Sequence, residues 1–308
     1  MSAPGSELAW ADFWTQGSAG GGGCVPRALE RIDTVQTAIW EAFARRLPAG
    51  ARVLDLGTGA GAVLLKMATV RSDLELVGVD SSPALPSAPE RIVLKPGVPM
   101  EKLPFPSGSF DAAASQFGYE YGDTARASLE MARVLKDDGC FRFIIHRRDG
   151  PILAHNLLRR GALRWALAAG SCLDIAKAVV AARLHARIPT PAALRTAPEE
   201  ARRLFPKQSV AAEIATAIVQ TVEIGYNRPP AYAADVLQKI ERKARNEVAR
   251  LDDLDRAAAD PEGLRRMVEE LRSVGFEVEQ PRDLLEAQTE RPFAWLLSGS
   301  AAGRSSAD

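Results

Sequence analysis

Cysteine is scarce in this chain, aromatic residues are few, and no stretch of eighteen apolar residues occurs. The three cysteines, Cys24, Cys140 and Cys172, are odd in number and widely spaced. They form neither a disulfide framework nor a zinc-binding spacing, and they read as reduced thiols of a cytoplasmic protein. Arg159, Arg160 and Arg164 interrupt the most apolar stretch, which excludes a membrane span there. The first residues lack a basic start and an apolar segment, so no signal peptide is visible. Net charge is also missing, with 39 Lys and Arg against 39 Asp and Glu. That argues against a chain-wide grip on nucleic acid. Hydrophobic residues at 46% leave ample material for a core over 308 residues.

Strand-like and helix-like stretches alternate through the first half. Residues 1–25 read as irregular, with a glycine run at Gly20–Gly23. From Pro26 a helix carries Leu29, Ile32, Val35, Ile39, Phe43 and Leu47 at three- and four-residue steps, and Pro48–Gly50 ends it. Strands are expected at 52–56, 74–79, 91–95, 110–116 and 141–145, with helices over 60–70 and 128–135. This alternation predicts a mostly parallel sheet with helices on both faces, and ligands beyond the carboxyl ends of its strands.

Residues 151–265 differ, being rich in Ala, Leu and Arg and almost wholly helical in pattern. Helices are expected to open near Pro191, at Pro206 and at Pro229–Pro230. Residues 151–210 hold ten Lys and Arg against three acids. A solvated helix face explains such a bias, and attraction of an acidic substrate or partner is the alternative. Strand character returns at 276–279 and 292–297, so the helical block reads as an insertion within one sheet domain.

The most informative stretch is Val53–Ala62. An apolar strand delivers Asp55, then glycines follow at 57, 59 and 61. Glycine permits a sharp turn and close approach to a ligand, and the helix beyond presents free N–H groups. A nicotinamide dinucleotide site would want a Gly-x-Gly-x-x-Gly spacing. Here the spacing is tighter, and a carboxylate beside a pyrophosphate would repel it, whereas it suits an amino group. Asp80 ends the second strand, where a carboxylate can accept both hydroxyls of a ribose.

With these residues, 52–145 resembles a class I S-adenosylmethionine-dependent methyltransferase of the small-molecule, ubiquinone/menaquinone-biosynthesis-like branch. Segments 78–83, 103–111 and 133–143 resemble further motifs of the family in order and spacing. The resemblance implies a Rossmann-like, seven-stranded, mostly parallel sheet whose last strand is antiparallel, with the helical insertion between strands five and six. The implied organisation is an N-terminal lid (1–25), a core (26–150 and 266–300), a helical insertion lidding the acceptor pocket (151–265) and a disordered tail (301–308). It implies S-adenosylmethionine as donor and S-adenosylhomocysteine as product. Asp55, Gly57, Thr58 and Gly59 fall near the methionine part, Asp80 and Ser81 at the ribose, and Met100 and Glu101 beside adenine. Ser115 and Gln116 fall by the methyl-donor site. Phe13 and Trp14 match a segment that folds over the donor, where aromatic faces tolerate a cation; anchoring of the terminus is the plainer reading.

Phe117, Tyr119 and Tyr226 are candidates for acceptor contact, against ordinary packing. Glu120 and Tyr121, which stand with Tyr119 just past the donor loop, are candidates of the same kind. His146, after strand five, reads either as a general base or as a solvated turn residue. Arg147 and Arg148 beside it argue against the base, because neighbouring cations favour neutral imidazole. The expected activity is methyl transfer to an O, N or C atom of a mid-sized, partly hydrophobic small molecule. Methylation of a peptide or protein terminus, and a non-catalytic donor-binding scaffold, are the alternatives. No metal site, nucleic-acid partner or membrane span is expected, and no oligomeric state can be read.

Overall fold

The computed structural model describes residues 6–17, 30–287 and 289–302. The glycine run, Cys24, the start of the helix expected from Pro26 and most of the expected tail lie outside them. The chain divides into two compact units, 1–154 with 253–308, and 155–252.

The first unit is built on one sheet. Its five parallel strands are β1 (Arg52–Leu56), β2 (Glu75–Val79), β3 (Ile92–Lys95), β4 (Phe110–Gln116) and β5 (Leu135–His146). They are followed by β6 (Phe276–Val278), β7 (Arg282–Leu285) and β8 (Pro292–Ala301). The order is β3-β2-β1-β4-β5-β8-β6, with β7 also on β8. Strand β8 runs antiparallel to β5, pairing Phe143 with Leu297. The central strands are apolar on both faces, as helix-covered parallel strands must be. Val53, Ala112 and Ile144 enter one core with Trp40 and Phe43, while Leu54, Ala113 and Phe143 enter the other with Met131 and Leu271.

The sheet has eight strands where seven were expected. The extra one is β7, paired with the first half of β8 from Leu296 to Pro292. Strand β6 covers only the far end of β8, from Gly299 to Ala301. Without β7 the rest of that edge would present unpaired backbone groups.

Three further expectations are corrected. Residues 6–17 are not irregular but form helix α1 (Ser6–Gly17). Strand β5 begins at Leu135, earlier than expected, and runs through Asp137 and Asp138. No helix opens at Pro206; the next one begins at Val210. The remaining helices of the unit are α2 (Glu30–Arg46), α3 (Ala62–Val70) and α4 (Thr124–Val134).

The chain passes between the units within α5 (Pro151–Ala166) and α9 (Pro230–Ala257), and α10 (Pro261–Ser273) leads into β6. The second unit holds α6 (Cys172–Ala182), α7 (Ala192–Leu204) and α8 (Val210–Ile224) around its own apolar cluster, which includes Leu173, Leu194, Ile218 and Leu237. Among the described residues, no helix is long and apolar enough to cross a membrane.

Candidate active site

The carboxyl ends of β1, β2 and β4 meet around the glycine turn. Asp55 is the fourth residue of β1 and is 1% exposed. Its Oδ2 accepts from the Thr58 hydroxyl at 2.7 Å. Its Oδ1 has no hydrogen-bond partner among the described residues. Burial, partly opposed by Thr58 and reinforced by nearby Asp80, pushes the Asp55 carboxyl up to about 7. The turn itself needs glycine at 57. Its φ is +67°, and a Cβ there would stand 2.9 Å from the Cα of Gly118. Two backbones are thus in direct apposition where β1 and β4 end.

Asp80 closes the turn from β2. Its Oδ2 accepts from the Gly59 backbone at 2.9 Å, and its Oδ1 from the Ser82 backbone at 2.8 Å. Burial raises its pKa, and those two N–H groups oppose the rise. Asp80 lines a cavity of about 380 Å³ with Gly57, Ser81, Met100, Glu101 and Phe117. Trp10, Trp14 and Tyr121 also line it. Trp10 and Trp14, one helical turn apart on α1, stack at 5.9 Å, and Tyr121 meets Trp10 edge-on. The Trp14 ring lies directly over Gly59. Trp10 Nε1 donates to buried Asp253 at 3.0 Å, which ties α1 to the end of α9.

The other candidates from the sequence are placed as follows. Phe13 packs edge-on against Trp14 at 4.8 Å and is half-buried. Glu101 Oε1 accepts from the Asp123 backbone at 2.8 Å. Ser115 donates to the Leu56 carbonyl and accepts from the Tyr119 backbone, and Gln116 accepts from Trp40 Nε1. Ser115 thus links the ends of β4 and β1, and Gln116 links β4 to α2. Phe117 adopts φ +57°, a strained conformation for a bulky residue, at the cavity wall. Tyr119 is fully buried, stacks on Phe143 and hydrogen-bonds Ser128, so it does not line this cavity. Tyr226 belongs to the helical unit, where Arg183 stands over its ring.

His146 is fully buried, not solvated. Glu120 Oε1 accepts from its backbone N–H at 2.8 Å and lies 2.9 Å from Nδ1, so the Nδ1–H tautomer fits. Its Nε2 has no partner among the described residues. Phe117 stacks on the imidazole at 3.9 Å. The arginines expected to depress its basicity are engaged elsewhere, Arg147 with Asp149 and Asp283, and Arg148 with Asp255. Tyr121, a candidate with Tyr119 and Glu120, does line the cavity, whereas Glu120 as the partner of His146 and Trp10 as a cavity wall were not legible in sequence. The i, i+4 tryptophans were the available sign for Trp10.

Comparison with known proteins agrees with this geometry. Residues 54–143 match the family model described as Methyltransferase domain. The segment is a methyltransferase domain. It is similar in sequence to the ubiquinone/menaquinone-biosynthesis methyltransferases. An uncharacterized methyltransferase of Bacillus subtilis, YcgJ, is 37% identical over 111 residues, covering 33% of this chain and 44% of that protein. The ubiquinone/menaquinone biosynthesis C-methyltransferase UbiE of Citrifermentans bemidjiense is 36% identical over 115 residues, covering 32% of this chain and 48% of that protein. The chain thus spans about half the length of the curated relatives it matches. A solved structure of a Burkholderia thailandensis 1,6-didemethyltoxoflavin-N1-methyltransferase, with S-adenosylhomocysteine bound, aligns over 86% of this chain and 76% of that one, at 13% identity and a TM-score of 0.41.

The cofactor of such a methyltransferase domain is S-adenosylmethionine, and the residues present fit it. A Cβ at Gly57 would meet the Gly118 backbone and one at Gly59 the Trp14 ring, so only glycine permits the close packing of this turn. Asp55 keeps an unpartnered buried oxygen, which an ammonium group would satisfy. Each Asp80 oxygen uses one lone pair on backbone and retains another for a hydroxyl.

Proposed function

We propose that this chain moves a methyl group from S-adenosylmethionine to an O, N or C atom of a mid-sized, partly apolar small molecule in the cytoplasm. The observation that carries the reading is Asp80, fixed by two backbone N–H groups at the wall of an aromatic-sided cavity beside the glycine turn. In this reading Asp80 accepts the ribose hydroxyls and Met100 and Glu101 flank the adenine. Asp55 and the backbone of Gly57 and Gly59 receive the methionine part. When bound, the donor supplies a methyl group already activated on a positively charged sulfur.

What the protein adds is placement and a dry, cation-tolerant wall. Trp10, Trp14 and Tyr121 present ring surface to the cavity and exclude water. Holding acceptor and methyl at near-attack distance supplies much of the rate without a base. Phe117, held out by its backbone and backed by the His146 ring, is the side chain best placed to set the acceptor's position. The curated relatives named for ubiquinone and menaquinone biosynthesis make hydroquinones the first acceptors to try.

Calorimetry with S-adenosylhomocysteine and with NAD tests the donor, and transfer of radiolabelled methyl to hydroquinones, phenols, amines and peptides tests the acceptor. Binding of NAD in preference to S-adenosylhomocysteine would refute the reading. Tight donor binding with no transfer to any class would leave a scaffold in its place.

A further inference from the structure

The sheet unit has a second cavity, of about 510 Å³, at the opposite ends of the strands. Asp111 at the start of β4 and Asp138, Cys140, Phe141 and Arg142 of β5 border it, whereas the donor cavity caps the strands' carboxyl ends. The methyl-transfer reading makes no use of it.

Arg142 lines this cavity and is only 8% exposed. Strand alternation explains its position. Phe141 and Phe143 turn into one core, so Arg142 must turn to the other face. There its guanidinium stands over the Phe43 ring at 4.9 Å, and Nε donates to Ser298 Oγ at 3.3 Å. No carboxylate lies within ion-pair distance of it among the described residues. Burial and the like charges of Arg46 and Arg282 push its pKa down, with Glu279 pushing back. A buried cation without a counter-ion is costly to keep, so this position calls for an anion.

The rim has the other sign. Asp138, Glu277 and Glu279 are exposed carboxylates at the cavity edge, alongside exposed Arg46. Asp111 is committed to Lys136 and to the Arg52 backbone. Phe43, Leu47 and Pro48 supply apolar wall between. An inorganic anion would meet Arg142 but face the acidic rim. A simple amine would stop at the rim.

We propose that this cavity binds a small amino carboxylate, its carboxylate on Arg142 and Ser298 and its ammonium group at the Asp138, Glu277 and Glu279 rim, with an apolar spacer along Phe43 and Leu47. Charge complementarity of this kind selects a zwitterion over either half of it. The site is separate from the donor cavity and stands whether or not the methyl-transfer reading holds.

Calorimetry on the full chain tests this with 4-aminobutanoate, 6-aminohexanoate and L-leucine. Hexanoate, hexylamine and inorganic phosphate are the controls. At least one amino carboxylate should bind roughly tenfold tighter than every control. R142M should lose that binding by about tenfold or more while leaving S-adenosylhomocysteine affinity unchanged. The double variant E277Q/E279Q should weaken the amino carboxylate while hexanoate, no longer repelled by those two carboxylates, binds at least as tightly as before. R142M should also melt no lower than the parent, since an apolar side chain replaces an unpaired buried charge. Should R142M fail to fold, S298A serves, with a smaller loss of the same binding. Silence across the panel, equal affinity for hexanoate or phosphate, or retained affinity in R142M or S298A would each overturn the proposal. A lowered melting point with unchanged binding would reduce Arg142 to a structural link between Phe43 and Ser298.

Discussion

The two ends of the sheet handle buried charge in opposite ways. At the carboxyl ends, Asp80 is met by backbone N–H groups of Gly59 and Ser82, and Asp55 by the Thr58 hydroxyl. At the other end Arg142 meets a phenyl ring and one serine oxygen. The contrast follows from chain geometry. A strand that turns into a helix leaves N–H groups free beside its end, so a carboxylate there finds donors at no added cost. The start of a strand offers a guanidinium nothing comparable. One end is therefore prepared by backbone, and the other only by side chains.

The largest effect should come from breaking the backbone at the prepared end. In Gly57→Ala the new Cβ would press on the Gly118 backbone, 2.9 Å away, at φ +67°. The strain, about 1–3 kcal/mol, falls on the turn that presents the Gly59 N–H. Affinity for S-adenosylhomocysteine should fall roughly 100-fold by calorimetry. Gly97→Ala is the control: its φ is +69°, but no atom lies within 4 Å of the added Cβ. It should cost stability alone, about 1 kcal/mol. Equal donor affinities in the two variants would show that the Gly57–Gly118 apposition does not shape the site.

Next in size is Asp80→Ala, which should weaken the same ligand by about 2–3 kcal/mol, the worth of hydrogen bonds to a charged group. The Gly59 and Ser82 N–H groups lose their acceptor as well, so Asp80→Asn should fall between the variant and the parent. Unchanged affinity in a folded Asp80→Ala protein would remove the ribose role.

Much of the prepared end was legible in the sequence, and little of the other. The Asp55, glycine and Asp80 spacing could be read because the turn dictates residue types at fixed intervals. The parallel strands were legible because both faces are buried and their apolar runs are continuous. Arg142 was hidden inside such a run, between Phe141 and Phe143, where alternation alone decides which face it takes. Strand β7 buries one side chain, Leu284, out of four residues, too little for a pattern. The extension of β5 through Lys136, Asp137 and Asp138 looked like a turn because three exposed charged residues stand in a row. Helix α1 is weakly amphipathic, and among the partners of its tryptophans Tyr121 and Asp253 lie far along the chain. Glu120 read as a candidate for acceptor contact, and only the fold shows that it faces His146.

A smaller effect separates the two ends by pH. The Asp55 carboxyl is raised from 3.8 to about 7, so the folded state holds a proton that the unfolded state has released. Its contribution to stability is full below about pH 4 and is lost as pH rises through about 7. Asp80, also raised, adds to the same slope. Between pH 5 and 8 the parent should lose about 1–3 kcal/mol more than Asp55→Asn does, measured by urea unfolding. The arginine end stays charged across that range and contributes no slope. An identical pH dependence in parent and variant would mean that Asp55 is ionised in the folded protein despite its burial.

The smallest effect concerns His146, at the prepared end but one layer behind it. A general base must come within about 2.6–3.2 Å of the proton it removes. His146 is fully buried, its Nδ1 faces Glu120, and Phe117 stacks on its ring at 3.9 Å. It is Phe117, not the imidazole, that lines the cavity. In the methyl-transfer reading the pair Glu120 and His146 backs Phe117 from behind. His146→Gln, which keeps an amide to donate to Glu120, should slow single-turnover methyl transfer less than tenfold, under about 1.4 kcal/mol of barrier. Phe117→Ala should slow it more, because it removes the wall itself. Donor affinity should stay near the parent value in His146→Gln. A loss of 10²–10⁴ in rate at position 146, the range typical of a missing base and restored by a small external amine at raised pH, would show that the imidazole reaches the acceptor after all.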